Sequence, residues 1–158
     1  MGRNVRYKVH LVAKGFSQAY KLDFDVTFVP VARLASFRLL VAIANQFELS
    51  MHHMDVTTAF LNGTLTENIY IEVPEGISHE PGSVCKLNKT LYGLKQASRG
   101  WFTTFDSVLG FRSVESDYCL YVKYDENSNI IFLLIYVDDL ITFCKNYTLL
   151  QEVKKISF

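Results

Sequence analysis

Two adjacent acids, Asp138 and Asp139, stand between two apolar runs, residues 130–137 (IIFLLIYV) and 140–143 (LITF). The first run is too short to cross a bilayer and reads as a buried strand. The second reads as a strand as well, so the acids occupy the tight bend of a β-hairpin. Burying ionised carboxylates costs several kcal/mol each unless a cation compensates. The usual hairpin chemistry is Asn-Gly or Asp-Gly, and no Gly is present here. A divalent metal is the simplest compensation, and a solvated acidic turn on an edge hairpin is the bland alternative.

A third carboxylate far upstream tips that balance. Asp55 lies in the stretch 51–63 (MHHMDVTTAFLNG), where a strand over 49–56 runs into a short helix beginning near Thr57 and stopping at Asn62-Gly63. Asp55 is then at the strand's end, or else caps the helix. Three acids from neighbouring strand ends can hold two Mg²⁺ ions about 3.5–4 Å apart, the spacing used for in-line phosphoryl transfer. Mg²⁺ takes oxygen ligands and keeps several waters, so two or three carboxylates plus substrate phosphates suffice. Adjacent strand residues point to opposite faces, so Asp138 and Asp139 cannot both reach one ion from ideal strand geometry, although a turn relaxes this. His52 and His53 lack a spaced partner and read as ordinary strand residues.

At 158 residues, nearly half of them apolar, the chain can build one domain with a real core. No segment is long or apolar enough to span a membrane, and no signal peptide is evident. Cys85, Cys119 and Cys144 are odd in number and widely spaced, against a disulfide framework or zinc site. An intracellular, cytoplasmic setting follows as the expectation, and the sequons at Asn62, Asn88 and Asn146 are then chance matches. Net charge is zero, but residues 1–22 carry Arg3, Arg6, Lys8, Lys14 and Lys21 with no acid. Residues 83–105 carry Lys86, Lys89, Lys95 and Arg99, again with no acid. These blocks are expected to form the walls of a phosphate-binding cleft.

Periodicity places extended segments in 5–29 and a helix over 36–47 with Ser36 as cap. Strands are expected over 69–73 and 118–124, with 85–87 and Leu91 pairing as short strands. The stripe Trp101, Phe102, Phe105, Val108 and Leu109 predicts a helix from Ser98, closed by Gly110. A last helix carries Leu149, Leu150, Val153 and Ile156. The fold class is α+β, with helices on one face of a mainly antiparallel sheet.

Four strings occur in one order: 11–18 (LVAKGFSQ), 54–63 (MDVTTAFLNG), 91–97 (LYGLKQA) and 136–139 (YVDD). Together they resemble the reverse transcriptase domain of copia-type long-terminal-repeat retrotransposons, over nearly the whole chain. The resemblance implies a partial right-hand polymerase, 1–158 being a single unit. Residues 1–50 and 62–97 would be fingers-like, 51–61 and 98–147 palm, and 148–158 the start of a thumb or connecting helix. It implies RNA-directed DNA synthesis from dNTPs on an RNA/DNA template-primer with two Mg²⁺ ions, Mn²⁺ being a possible substitute. The rest of a Pol polyprotein, with integrase and RNase H, would accompany it in a virus-like particle. The alternative is a catalytically inactive remnant that only binds nucleic acid.

By the same resemblance, Asp55 and Asp138 would be the metal-bridging carboxylates, Asp139 the weaker third, and Val56 would offer its carbonyl. Phe60 would lie under the incoming sugar and leave no room for a 2′-hydroxyl. Gln96 would touch the nucleotide, with Lys8 and His10 near the triphosphate. Tyr136 would lie near the primer end, and Lys14, Lys95 and Arg99 would meet nucleic acid. Two departures stand out. His10 occupies the place of a triphosphate-gripping Arg, and a His is mostly neutral at pH 7 where guanidinium is always charged. Ser98 replaces a Pro and is expected to cap the helix that follows.

Overall fold

The computed structural model describes residues 9–56, 58–108, 110–145 and 150–151. Arg3, Arg6, Lys8, Asn146 and most of the expected last helix lie outside the described residues. The elements in chain order are α1 (Leu34–Phe47), β1 (Ser50–Asp55), α2 (Ala59–Asn62), β2 (Tyr70–Glu72), β3 (Val84–Lys86) and α3 (Ala97–Val108). There follow β4 (Arg112–Val114), β5 (Asp117–Tyr124), β6 (Ile130–Tyr136) and β7 (Asp139–Cys144). Five strands form one sheet in the order β1-β7-β6-β5-β4, every neighbour antiparallel. The two short strands β2 and β3 pair with each other alone, so Leu91 is not a strand partner. Residues 9–14 form no strand; a single 3-10 turn, Gly15–Ser17, interrupts this segment.

Helices cover both faces of the large sheet, not one as the sequence led us to expect. On one face α3 packs Trp101 and Phe105 against Tyr121, Leu133, Ile135 and Leu140. On the other, α1 packs Leu40 and Ala44 against Leu120, Leu134 and Phe143. The reason lies in β6. Its seven residues are Ile-Ile-Phe-Leu-Leu-Ile-Tyr, with no polar alternation, and a strand apolar on both sides must be covered on both. Leu133, Leu134 and Ile135 are all almost wholly buried.

The start of α1 depends on a residue from the other end of the fold. Ser36 does not cap the helix, which begins two residues earlier at Leu34. Instead the buried carboxylate of Asp117, at the head of β5, accepts the Arg33 amide at 2.9 Å, the Ser36 hydroxyl at 2.6 Å and the Cys119 amide at 3.1 Å. Burial alone would push this carboxyl up. The Ser36 hydroxyl and the Arg33 and Cys119 amides outweigh it and hold the group below the ordinary carboxylate range.

A depressed folded-state pKa stabilises the fold fully above the unfolded value of about 3.9. That contribution is lost as pH falls through the lower folded value. Asp117→Ala, which leaves three donors unmatched, should cost about 1–3 kcal/mol in urea denaturation at pH 7. The deficit should shrink in strong acid.

The three cysteines form no disulfide. Burial raises the Cys119 thiol to about 11, as expected of an inert core residue. Among the described residues no helix is long and apolar enough to cross a membrane.

Candidate nucleotidyl-transfer site

The β6–β7 turn is held from two directions. Residues 137 and 138 make the turn, and Val137 adopts φ 61°, a left-handed conformation costly for a β-branched residue. The Trp101 indole Nε1–H donates to the Val137 carbonyl at 3.0 Å, tying the turn to α3. The Val56 amide donates to the Asp138 carbonyl at 3.1 Å, tying it to the exit of β1. Thr58, at the head of α2, is a second β-branched residue at positive φ, 57°. Both strained positions lie within three residues of Asp55 or Asp138, and strain of this kind clusters at working sites.

Register completes the convergence. β1 and β7 pair with Asp55 directly opposite Asp139, so these two side chains share a face. Asp55 ends its strand and is exposed; it does not cap α2, whose N-cap is Thr58. Asp138 and Asp139 are half-buried, Asp138 in the turn and Asp139 as the first residue of β7. Asp55 and Asp138 act on a common neighbour, Tyr92. Burial first, then the charges of Asp138 and Asp55, push its phenol above the ordinary tyrosine value.

His53 departs from its expected role as an ordinary strand residue. Its Nε2 lies 2.7 Å from Asp139 Oδ1, an ion pair when the ring is protonated. One oxygen of Asp139 is thereby engaged, whereas among the described residues no such side-chain contact is made by Asp55 or Asp138. The contact was hidden in the sequence because it runs diagonally between strands 86 residues apart.

Beside the acids lies a line of rings. Phe60 meets Tyr92 edge-on, with centroids 4.7 Å apart, and Tyr92 meets His10 at 5.3 Å. Sequence reasoning did not single out Tyr92, although it sits in the 91–97 string next to Gly93. This loop docks on the 9–24 segment. The Ala13 amide donates to the Tyr92 carbonyl at 2.7 Å. Gly15 and Gly93 permit the approach: a Cβ on Gly15 would stand 1.8 Å from the Gly93 carbonyl oxygen, and one on Gly93 2.1 Å from that of Ala13. Gly93 also has φ 91°. Gly93→Ala should therefore release the 9–24 segment, raising its hydrogen–deuterium exchange while strands β5–β7 stay protected. We expect a loss of about 1–3 kcal/mol from the conformational strain alone.

Gln96 is buried and engaged at both ends of its amide. Its Oε1 accepts from Gln18 Nε2 at 3.0 Å and its Nε2 donates to the Asp23 carbonyl at 2.9 Å. Lys95 donates its amide to Gln18 Oε1 and lays its ammonium over the Phe24 ring at 4.6 Å. These contacts join the two basic blocks through Gln18, Lys95 and Gln96, and Lys14, Lys95 and Arg99 are all exposed. Lys21 is paired with Asp25 at 2.6 Å. Tyr136 is exposed and in register with Asp139. Ser98 is the second residue of α3, so it is not the cap expected of it.

Taken as ligands, Asp55, Asp138 and the Val56 carbonyl are all oxygen donors. That carbonyl already accepts the Ala59 amide at 3.2 Å and keeps a second lone pair. Among the described residues no group of three or more His, Cys, Asp or Glu side chains is arranged to hold a metal ion. Oxygen donors of this kind are the ligand type that Mg²⁺ takes, and they lack the thiolates and imidazoles of a structural zinc site.

Residues 1–157 match the family described as reverse transcriptase (RNA-dependent DNA polymerase). The chain is 44% identical over 155 residues to the retrovirus-related Pol polyprotein from transposon TNT 1-94 of Nicotiana tabacum, covering 95% of this chain and 12% of that protein. It is 41% identical over 152 residues to the retrovirus-related Pol polyprotein from transposon RE1 of Arabidopsis thaliana, covering 93% and 10%. The putative transposon Ty5-1 protein YCL074W of Saccharomyces cerevisiae is 36% identical over 107 residues, covering 65% and 34%. The chain thus spans only about a tenth of the two plant relatives. No solved structure matches. On these grounds the chain belongs to the reverse transcriptase (RNA-dependent DNA polymerase) family, as found in copia-type retrotransposon Pol polyproteins.

Proposed function

We propose that this chain is the catalytic portion of an RNA-directed DNA polymerase that transfers nucleotides from dNTPs to a primer 3′ end. The observation that carries the reading is the β1–β7 register, which sets Asp55 opposite Asp139, with the Val56 amide holding the Asp138 carbonyl at the adjoining turn fixed by Trp101. Asp55 and Asp138 would hold two Mg²⁺ ions, or Mn²⁺ in their place, with Val56 adding its carbonyl and Asp139 a lesser contribution. When bound, such ions lower the pKa of the primer hydroxyl and neutralise charge gathering on the triphosphate.

The rest falls to the chain's own groups. Phe60 takes the underside of the incoming sugar, and Tyr136 the primer end. Gln96 fixes the loop that carries Tyr92, and one amide hydrogen beyond the one given to Asp23 is left for the nucleotide. His10 faces the triphosphate as part of the ring line, with Lys8 joining it by resemblance. Lys14, Lys95 and Arg99 draw in the template-primer backbone, a contact that weakens as salt rises.

In domain terms, residues 51–61 and 98–147 form the palm, which is supported by strands β1 and β4–β7 falling in these ranges. Residues 1–50 and 62–97 are fingers-like, although α1 within them packs on the palm sheet; residues 148–158 begin a thumb or connecting helix. In the element the chain works with integrase and RNase H of the same polyprotein, inside a cytoplasmic virus-like particle.

The test is extension of a DNA primer on an RNA template with Mg²⁺ or Mn²⁺, run beside Asp138→Asn. Incorporation that disappears in the variant supports the polymerase. Duplex binding without incorporation, unchanged in the variant, overturns it in favour of an inactive remnant that only binds nucleic acid.

A further inference from the structure

Phe60 sits on a helix of only four residues, entered through the strained Thr58, and is only half-buried. So short a helix cannot fix a ring by itself, and the ring packs against the cluster of Val56 and Trp101 and that of Leu91 and Leu94. Tyr92, which it also meets, is anchored through its backbone and a second ring. The Tyr92 carbonyl accepts the Ala13 amide, the chain turns sharply at Gly93, and the His10 ring lies against the phenol side chain. The Phe60 ring meets this anchored ring edge-on at 4.7 Å, a geometry favoured between aromatic quadrupoles.

We infer that Tyr92 is a specificity-determining positioning residue, whose ring fixes Phe60 at the height that separates deoxyribose from ribose triphosphates. The inference rests on the polymerase reading above and assigns the discrimination to a two-ring unit. The ring of Tyr92 is what matters; its hydroxyl does not.

The experiment compares dATP and ATP as substrates for the intact chain, as the ratio of kcat/KM in primer extension. Tyr92→Leu should lower the deoxy preference roughly tenfold, the scale of one lost aromatic pair. Tyr92→Phe, which keeps the ring, should hold the preference within about twofold. Phe60→Ala should lower it further, and adding Tyr92→Leu to Phe60→Ala should change nothing more, because two residues acting as a unit are not additive. A merely structural role for Tyr92 would slow both nucleotides alike and leave the ratio fixed.

Should Tyr92→Leu fail to fold, Tyr92→Met removes the ring with less loss of volume. Thermal shifts with dATP and with ATP, in Mg²⁺ and a template-primer whose primer lacks its 3′-hydroxyl, read the same preference without turnover. A wild-type chain that extends or binds dATP while Tyr92→Leu or Tyr92→Met keeps its ratio overturns this inference alone. A wild-type chain that neither extends nor binds dATP overturns the polymerase reading and this inference with it.

Discussion

Asp138→Asn should reduce primer extension by at least about a thousandfold and leave the fold intact. The magnitude follows from what a carboxylate-held cation contributes, several kcal/mol of transition-state charge stabilisation, at 1.36 kcal/mol per tenfold in rate. The fold should survive because the turn is held through the backbone at residue 138. The Val56 amide donates to the Asp138 carbonyl, which Asn keeps. Asp55→Asn should behave alike, and the double variant should be little worse than either, since groups that act as a unit are not additive.

Asp139→Asn is the informative contrast. One of its oxygens already meets His53, and Asn retains an acceptor there, so the rate should fall far less than with Asp138→Asn. Single-turnover extension measures all three, and thermal denaturation checks that each is folded. Equal losses at Asp138 and Asp139 would contradict the division of labour that the His53 contact suggests.

The hairpin could be read from the sequence because two apolar runs leave only a tight bend between them, but the bend falls one residue earlier than expected, at 137–138, so Asp138 lies in the turn while Asp139 already begins β7. Asp55 at a strand's end was legible for the same reason, a short apolar-patterned segment before a helix signal. The two-sided covering of the sheet was also written in β6, whose lack of polar alternation was the available signal. Other features needed register or distant contacts. His53 finds Asp139 only once β1 and β7 are paired with Asp55 opposite Asp139. The true start of α1 is set by Asp117, which lies 84 residues from Arg33 in the chain and carries no local signature of its role. Gln96 was singled out as a nucleotide contact through its string alone; that its buried amide also holds the Gln18–Asp23 segment to the loop needed contacts more than 70 residues away in the chain. Tyr92 was passed over for want of any periodicity around it. Its importance comes from Phe60, His10 and the acids arriving from three other parts of the chain.

Trp101 should give the largest stability effect of any residue in the site's support. Its side chain is almost wholly buried, set edge-on against Phe105 at 5.4 Å and packed in one cluster with Val56, Ala59 and the sheet residues Leu133 and Leu140. Trp101→Ala should cost about 3–5 kcal/mol, a large part of the roughly 5–15 kcal/mol that holds a domain of ordinary size together. Urea denaturation at pH 7 reads this directly, and a chain this weakened should be partly unfolded at 37 °C.

Trp101→Phe separates packing from the hydrogen bond. It keeps an aromatic in place but removes the Nε1–H that reaches the Val137 carbonyl. Val137 is exposed enough for water to take up that carbonyl, so the net loss in stability should be only about 0.5–1.5 kcal/mol from the bond, plus a cavity contribution. The rate should suffer more than the stability. Val137 holds a left-handed φ whose strain is about 1–3 kcal/mol, and the indole is one of the contacts that keeps it there. Freed from it, the turn can relax and carry Asp138 away from Asp55, so extension should fall at least about tenfold while most of the chain remains folded. A Trp101→Phe protein that loses stability but extends at the wild-type rate would show that the turn keeps its shape without α3.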